Sequence, residues 1–106
     1  KILILGEMLE LGRKTLKFHK EIAIEAIKKE FDIIIFCGPK YKEILSKIQL
    51  SLKNVFYFSN EKHIINFLNN KIQKNDIILA KGSNSSKINK LVNYLLKYEI
   101  KRKINC

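Results

Sequence analysis

Ile2-Leu3-Ile4-Leu5 is an unbroken run of branched apolar residues. A strand with one wet face alternates polar and apolar residues. This run does not, so it needs cover on both faces, as the strands of a parallel sheet have. Gly6 ends it, a short connection Glu7-Met8-Leu9-Glu10-Leu11 closes at Gly12, and a long helical pattern begins just beyond. Strand, glycine-bounded loop, helix is the building unit of a parallel α/β sheet, and ligands settle where the strand's carboxyl end meets the loop.

The same grammar recurs along the chain. The first helix is expected over Lys14–Lys29, with an apolar stripe of Ile22, Ala23, Ala26 and Ile27 that Leu16 and His19 extend toward the loop. Ile33–Cys37 reads as a second central strand. Gly38-Pro39 then turns the chain into a helix whose face is Tyr41, Ile44, Leu45 and Ile48, with proline in the first turn, where its missing N–H costs nothing. Val55–Phe58 is a short aromatic strand, and Ser59 or Asn60 caps a helix with Ile64, Ile65, Leu68 and Ile72 on its buried side. A polar turn, Gln73–Asp76, leads to a fourth strand, Ile77–Ala80, read as buried. A helix carrying Ile88, Leu91, Val92, Leu95 and Leu96 follows. The fold class is therefore α/β: three layers, with a parallel sheet of about four strands flanked by helices. Residues 1–96 form one domain, and 97–106 a basic tail.

With 106 residues, 46% of them hydrophobic, the chain can bury one core and not two. No apolar run approaches the roughly 20 residues of a membrane span. Lys1 is followed by only four apolar residues before Gly6, which excludes a signal peptide here. The net charge of +11 raises nucleic acid as a partner, but the charge is nearly all lysine, Arg13 and Arg102 being the two arginines, and it is spread along every helix. Basic footprints cluster, so a solvated lysine surface is expected, with no nucleic-acid and no membrane partner. Cys37 and Cys106 make neither a disulfide framework nor a metal pattern; Cys37 reads as a small buried hydrophobe, and the usage fits a reducing cytoplasm.

Three places invite a functional reading. The first loop carries Met8, Leu9 and Leu11 where loops are usually polar; these side chains either fold back over the helix ends or form a surface that meets another domain or a ligand. His19 lies where core meets loop, and packing and chemical roles are both open to it. Lys81-Gly82-Ser83-Asn84-Ser85-Ser86 places small residues between a strand and a helix N-terminus. There, backbone N–H groups with Lys81 beside them suit an anion, although the same residues also simply cap helices. Neither G-x-x-x-x-G-K-[ST] nor G-x-G-x-x-G occurs. A stand-alone anion- or nucleotide-binding module is the alternative those residues leave open.

The run ILGEMLELG, the helix with His19-Lys20-Glu21-Ile22, the segment FDIIIFCGPKYKE and the segment ILAKGSNSSKINKLV together resemble the C-terminal domain of the Mur ligases, in particular those that add D-alanyl-D-alanine to UDP-N-acetylmuramoyl-tripeptide. Glu7 stands where that family usually has Asp, Phe18 where it has Leu, and Asn84 where it has Arg, which removes a bidentate donor. The resemblance runs from Ile2 to about Leu96. It implies a Rossmann-like domain lacking the family domain's first strand and its DSYNANP-type loop, hence a fragment or a truncated reading frame. It also implies ATP and Mg in the full-length enzyme, bound mainly outside this chain. The implied partners are the central ATP-binding domain of the same ligase and the substrates D-alanyl-D-alanine and UDP-muramoyl-tripeptide. The implied candidates for domain closure or substrate binding are Glu7, Met8, His19, Lys81, Gly82 and Ser83. No residue here is assigned a catalytic or metal-binding role, and the isolated chain is expected to be inactive as a ligase.

Overall fold

The computed structural model describes residues 1–8, 15–48, 53–69, 71–73, 75–82 and 91–93. Four strands, β1 (Ile2–Gly6), β2 (Ile33–Cys37), β3 (Val55–Phe58) and β4 (Ile78–Lys81), form one sheet in the order β3-β2-β1-β4. Every pairing is parallel: Ile4 lies opposite Ile35 and Ala80, and Phe36 opposite Tyr57. Helices α1 (Thr15–Lys28), α2 (Pro39–Lys47) and α3 (Glu61–Leu68) supply the crossovers that parallel strands require.

Alternation along the strands sorts the core into two layers. Leu3 and Leu5 of β1, with Ile34 and Phe36 of β2, face α1 and α2 and pack with Ala23, Ala26, Tyr41 and Ile44. Ile2, Ile4, Ile35 and Cys37 face the other way and pack with Ile64 and Leu68 of α3 and with Leu91. The parallel α/β class and the β2 and β3 boundaries are as the sequence implies. β1 is buried along its whole length, as its uninterrupted apolar run requires.

Three expectations shift. Leu16 does not extend the buried stripe of α1: it is 44% exposed, while Ala23 and Ala26 carry that face inward. The first helix ends at Lys28, and Lys14 lies outside the described residues. The fourth strand begins at Ile78 and takes in Lys81, and it is not buried on both sides. Ile78 and Ala80 pack against the α3 layer, but Leu79 is 49% exposed and Ile77, just before the strand, 57%. β4 pairs only with β1 among the described strands, so it stands at a sheet edge, and an open groove separates Leu79 from α1. A continuous apolar run therefore marks two-sided burial in β1 but not in β4. Ile88, Leu95, Leu96 and the tail 97–106 lie outside the described residues; Leu91 is fully buried.

Helix starts are capped in two different ways. Asn60 is extended, and its Oδ1 accepts the His63 N–H at 3.2 Å, a side-chain cap of the kind that contributes about 1 kcal/mol. α2 has no such residue: its N-cap position is Gly38, followed by Pro39. Its cap comes from elsewhere in the chain.

Candidate functional site

β1 leads to β2 and then β3 on one side, and the chain returns to place β4 on the other side of β1. The direction of winding thus reverses between β1 and β4. In open parallel sheets, ligands bind outside the carboxyl ends of strands at such a reversal. Leu5 is in register with Lys81, and Gly6 with Cys37, so the segments leaving β1 and β4 emerge from one edge of the sheet, beside the start of α2.

Glu7 is the first side chain past β1, and only 9% of it is exposed. It reaches across the end of β2, where its Oε1 accepts the Lys40 backbone N–H at 2.6 Å, so β1 supplies the cap that α2 lacks. A carboxylate also suits the positive end of a helix. The approach is close enough to dictate the residue at 38. A Cβ there would sit 2.5 Å from Glu7 Cγ, and Gly38 has φ +118°, a conformation that side-chain-bearing residues avoid.

His19, fully buried in α1, joins the same group. Its Nε2 lies 2.9 Å from the Met8 backbone N, and its Nδ1 lies 2.6 Å from the Thr15 carbonyl oxygen. Its ring meets Tyr41 edge-on, with centroids 5.0 Å apart. Tyr41 in turn stacks at a tilt on Phe36, 4.9 Å away. Burial first, and then the Glu7 carboxylate, push the Tyr41 phenol well above its ordinary range, so it stays neutral. The same end of the sheet holds Cys37, whose thiol is pushed up to about 11 by burial first and then by Glu61 and Glu7.

That thiol is expected to resist alkylation. In a Cys106→Ser background, a maleimide at neutral pH should label the unfolded chain fully and the folded chain at least about tenfold more slowly, because thiolate and access are both withheld. The pH dependence has a definite sign. Cys37 favours the fold with its proton on, so its contribution is complete below the ordinary value of 9.0 and is lost as pH rises through about 11.

The structure thus brings Glu7, Met8 and His19 to one edge: His19 is hydrogen-bonded to Met8, and Glu7, the residue before it, to Lys40. Lys81, exposed, and Gly82, partly buried, stand on the far flank of β1 at the same edge. Ser83 lies outside the described residues. Lys81 also borders a groove of about 390 Å³ between α1 and β4, floored by Leu3, Leu5, Ile22 and Leu79. The roles of Gly38, Lys40 and Tyr41 are additions to the sequence reading. The available signal was Gly38-Pro39 itself, a helix start with no capping side chain, which needs an acceptor from another segment.

The family described as Mur ligase, glutamate ligase domain, matches residues 1–84, a stretch that takes in all four strands and both segments at the carboxyl edge. The chain belongs to this family. Among curated relatives of this Mur ligase domain, the UDP-N-acetylmuramoyl-tripeptide–D-alanyl-D-alanine ligase of Buchnera aphidicola subsp. Acyrthosiphon pisum is 34% identical over 105 residues, covering 97% of the chain and 22% of the relative. The protein of the same name from Borreliella burgdorferi is 30% identical over 93 residues, covering 88% and 20%. A crystal structure of MurF from Acinetobacter baumannii superposes with a TM-score of 0.73 at 22% identity, over 92% of this chain and 21% of that one, a likeness of fold. The Mur ligase domain spans about a fifth of the length of the relatives it matches.

Proposed function

We propose that this chain is the C-terminal domain of a ligase that joins D-alanyl-D-alanine to UDP-N-acetylmuramoyl-tripeptide in the cytoplasm, and that it works by closing onto a central ATP-binding domain and helping to seat the dipeptide. The observation that carries the reading is the family match together with the shared name of the relatives, which span the chain almost end to end. The geometry supports it: the winding reversal puts Glu7–Met8 and Lys81–Gly82 on one rim, where a second domain could meet both.

The described residues do not make a nucleotide-phosphate cradle. The Lys40 N–H at the start of α2 is already bonded to Glu7, and the His63 N–H of α3 to Asn60. In this reading ATP and Mg are bound mainly by the partner domain. On this side, the fold contributes shape and charge. Glu7 and His19 fix the rim rather than touch substrate, and Lys81 is the exposed cation free to meet a carboxylate, such as that of a dipeptide, once the domains close and exclude water.

A chimera tests this. In a full-length D-alanyl-D-alanine-adding ligase, the matching C-terminal segment is replaced by this chain. The chimera is expected to release phosphate in the presence of ATP, tripeptide substrate and dipeptide, and the chain alone to release none. Lys81→Ala in the chimera should raise KM for the dipeptide about tenfold, equivalent to about 1.4 kcal/mol of binding. Turnover by the chain alone, or a folded chimera that binds ATP yet never consumes dipeptide, would refute the proposal.

A further inference from the structure

His19 is a buried titratable group, and the way it fixes the rim follows from its two hydrogen bonds. Its two ring nitrogens meet backbone groups of opposite character. The Met8 N–H can only donate, so Nε2, 2.9 Å away, must be the acceptor and carry no proton. The Thr15 carbonyl can only accept, so Nδ1, 2.6 Å away, must carry the proton. One tautomer satisfies both: the neutral ring protonated at Nδ1, the reverse of the form that free histidine favours. Met8 and Thr15 are the last described residue before residues 9–14 and the first after them. A single imidazole therefore ties together the two feet of the connection between β1 and α1.

We infer that His19 is a positioning residue, a neutral clasp that fixes both feet of this connection, and that a proton arriving at Nε2 opens it. The imidazolium has two donors and no acceptor, so the Met8 N–H would face a donor and the foot attached to β1 would come free. Glu7 is the next residue along, so its bond to Lys40 N–H loosens with it and the opening spreads to the start of α2.

Several groups surround the ring. From the end of β1 comes Glu7, a carboxylate bonded to the Lys40 N–H. From α2 come Tyr41, neutral and edge-on at 5.0 Å, and Lys40, held through its backbone. From β2 comes Phe36, apolar, on which Tyr41 packs at 4.9 Å. From α1 itself come Phe18, with its ring 6.4 Å away, and the exposed Lys17 and Lys20, whose charges oppose a further cation. The device works on the rim whether or not that rim docks onto another domain, so it stands apart from the ligase reading.

Nuclear magnetic resonance of the 106-residue chain labelled with nitrogen-15 tests it. At about pH 8, His19 is expected to show an unprotonated Nε2 and a protonated Nδ1, while His63, the other histidine and exposed on α3, shows the ordinary tautomer mixture in the same spectrum. On acidification, the Met8 and Lys40 amide signals should move together with the His19 ring, and protection of Met8 from exchange, corrected for the intrinsic pH effect, should fall about tenfold or more. His19→Gln places an amide oxygen where Nε2 stood. It should keep Met8 protected and abolish the pH dependence, whereas His19→Phe should lose protection at every pH. A protonated Nε2 on His19 in the native spectrum overturns the inference without any variant. So does a Met8 signal whose pH response is the same in His19→Gln as in the parent.

Discussion

Gly38→Ala is expected to lower the unfolding free energy by about 3 kcal/mol. Roughly half of that is the strain of a side-chain-bearing residue at φ +118°. The rest comes from Glu7, which cannot stay 2.5 Å from the new methyl group and must give up the Lys40 N–H, a charge-assisted bond of about 1.5–3 kcal/mol. Urea titration reads the loss directly. A double-mutant cycle separates the two parts. With Glu7→Ala already in place there is nothing left to displace, so adding Gly38→Ala should cost only about 1–2 kcal/mol, a coupling of the size expected for residues in contact. Simple additivity would mean that the glycine is required for its backbone conformation alone and that Glu7 does not dictate it.

Ile35→Ala should cost about 3–4 kcal/mol, whereas Leu79→Ala should cost less than about 1 kcal/mol. Both residues sit mid-strand in apolar runs that look alike in the sequence. Ile35 is fully buried beneath α3 between two paired strands, and its removal leaves a cavity that the sheet cannot close. Leu79 is half in water on an edge strand, so little contact is lost when it is trimmed. Thermal or urea midpoints for the two variants decide it, and similar losses would show that Leu79 is covered in solution.

Much of this architecture is readable because the rules that produce it are local. β1 and β2 announce themselves by unbroken apolar runs, α2 and α3 by spaced apolar faces, and Asn60 by its place just before a helix. What local rules cannot supply is which strand lies beside which. Nothing in Ile77–Ala80 distinguishes a central strand from an edge strand, since both turn one face to the core and differ in what covers the other. Leu16 misleads for a related reason: spacing puts it near the stripe, but it lies at the start of α1, on an open groove against α2 that leaves it exposed. At the rim, Met8 was noticeable as an apolar residue in a loop, His19 by its place between core and loop, and Glu7 through the family resemblance. Their joint arrangement was not, because Glu7 meets α2 and His19 meets Met8 only after the crossovers have brought distant segments together. The uncapped Gly38-Pro39 start was the one trace of that arrangement in the sequence, a missing partner rather than a present one.

The place of β1 has a consequence for how the molecule assembles. Ile2 pairs with both Ile33 and Ile78, so the innermost ladder joins residues from opposite ends of the described chain. Among the described strands no hairpin exists to nucleate the sheet; each rung must wait for a crossover to be laid down, and the entropy of closing those long loops is lost before any pairing offsets it. On the ribosome, β1 would emerge with one flank unsatisfied and keep it so until β4 is synthesised. Refolding should accordingly be slower than that of a helical bundle of equal length. During that wait a wholly apolar strand is exposed to wrong partners, which makes it a natural target for a chaperone.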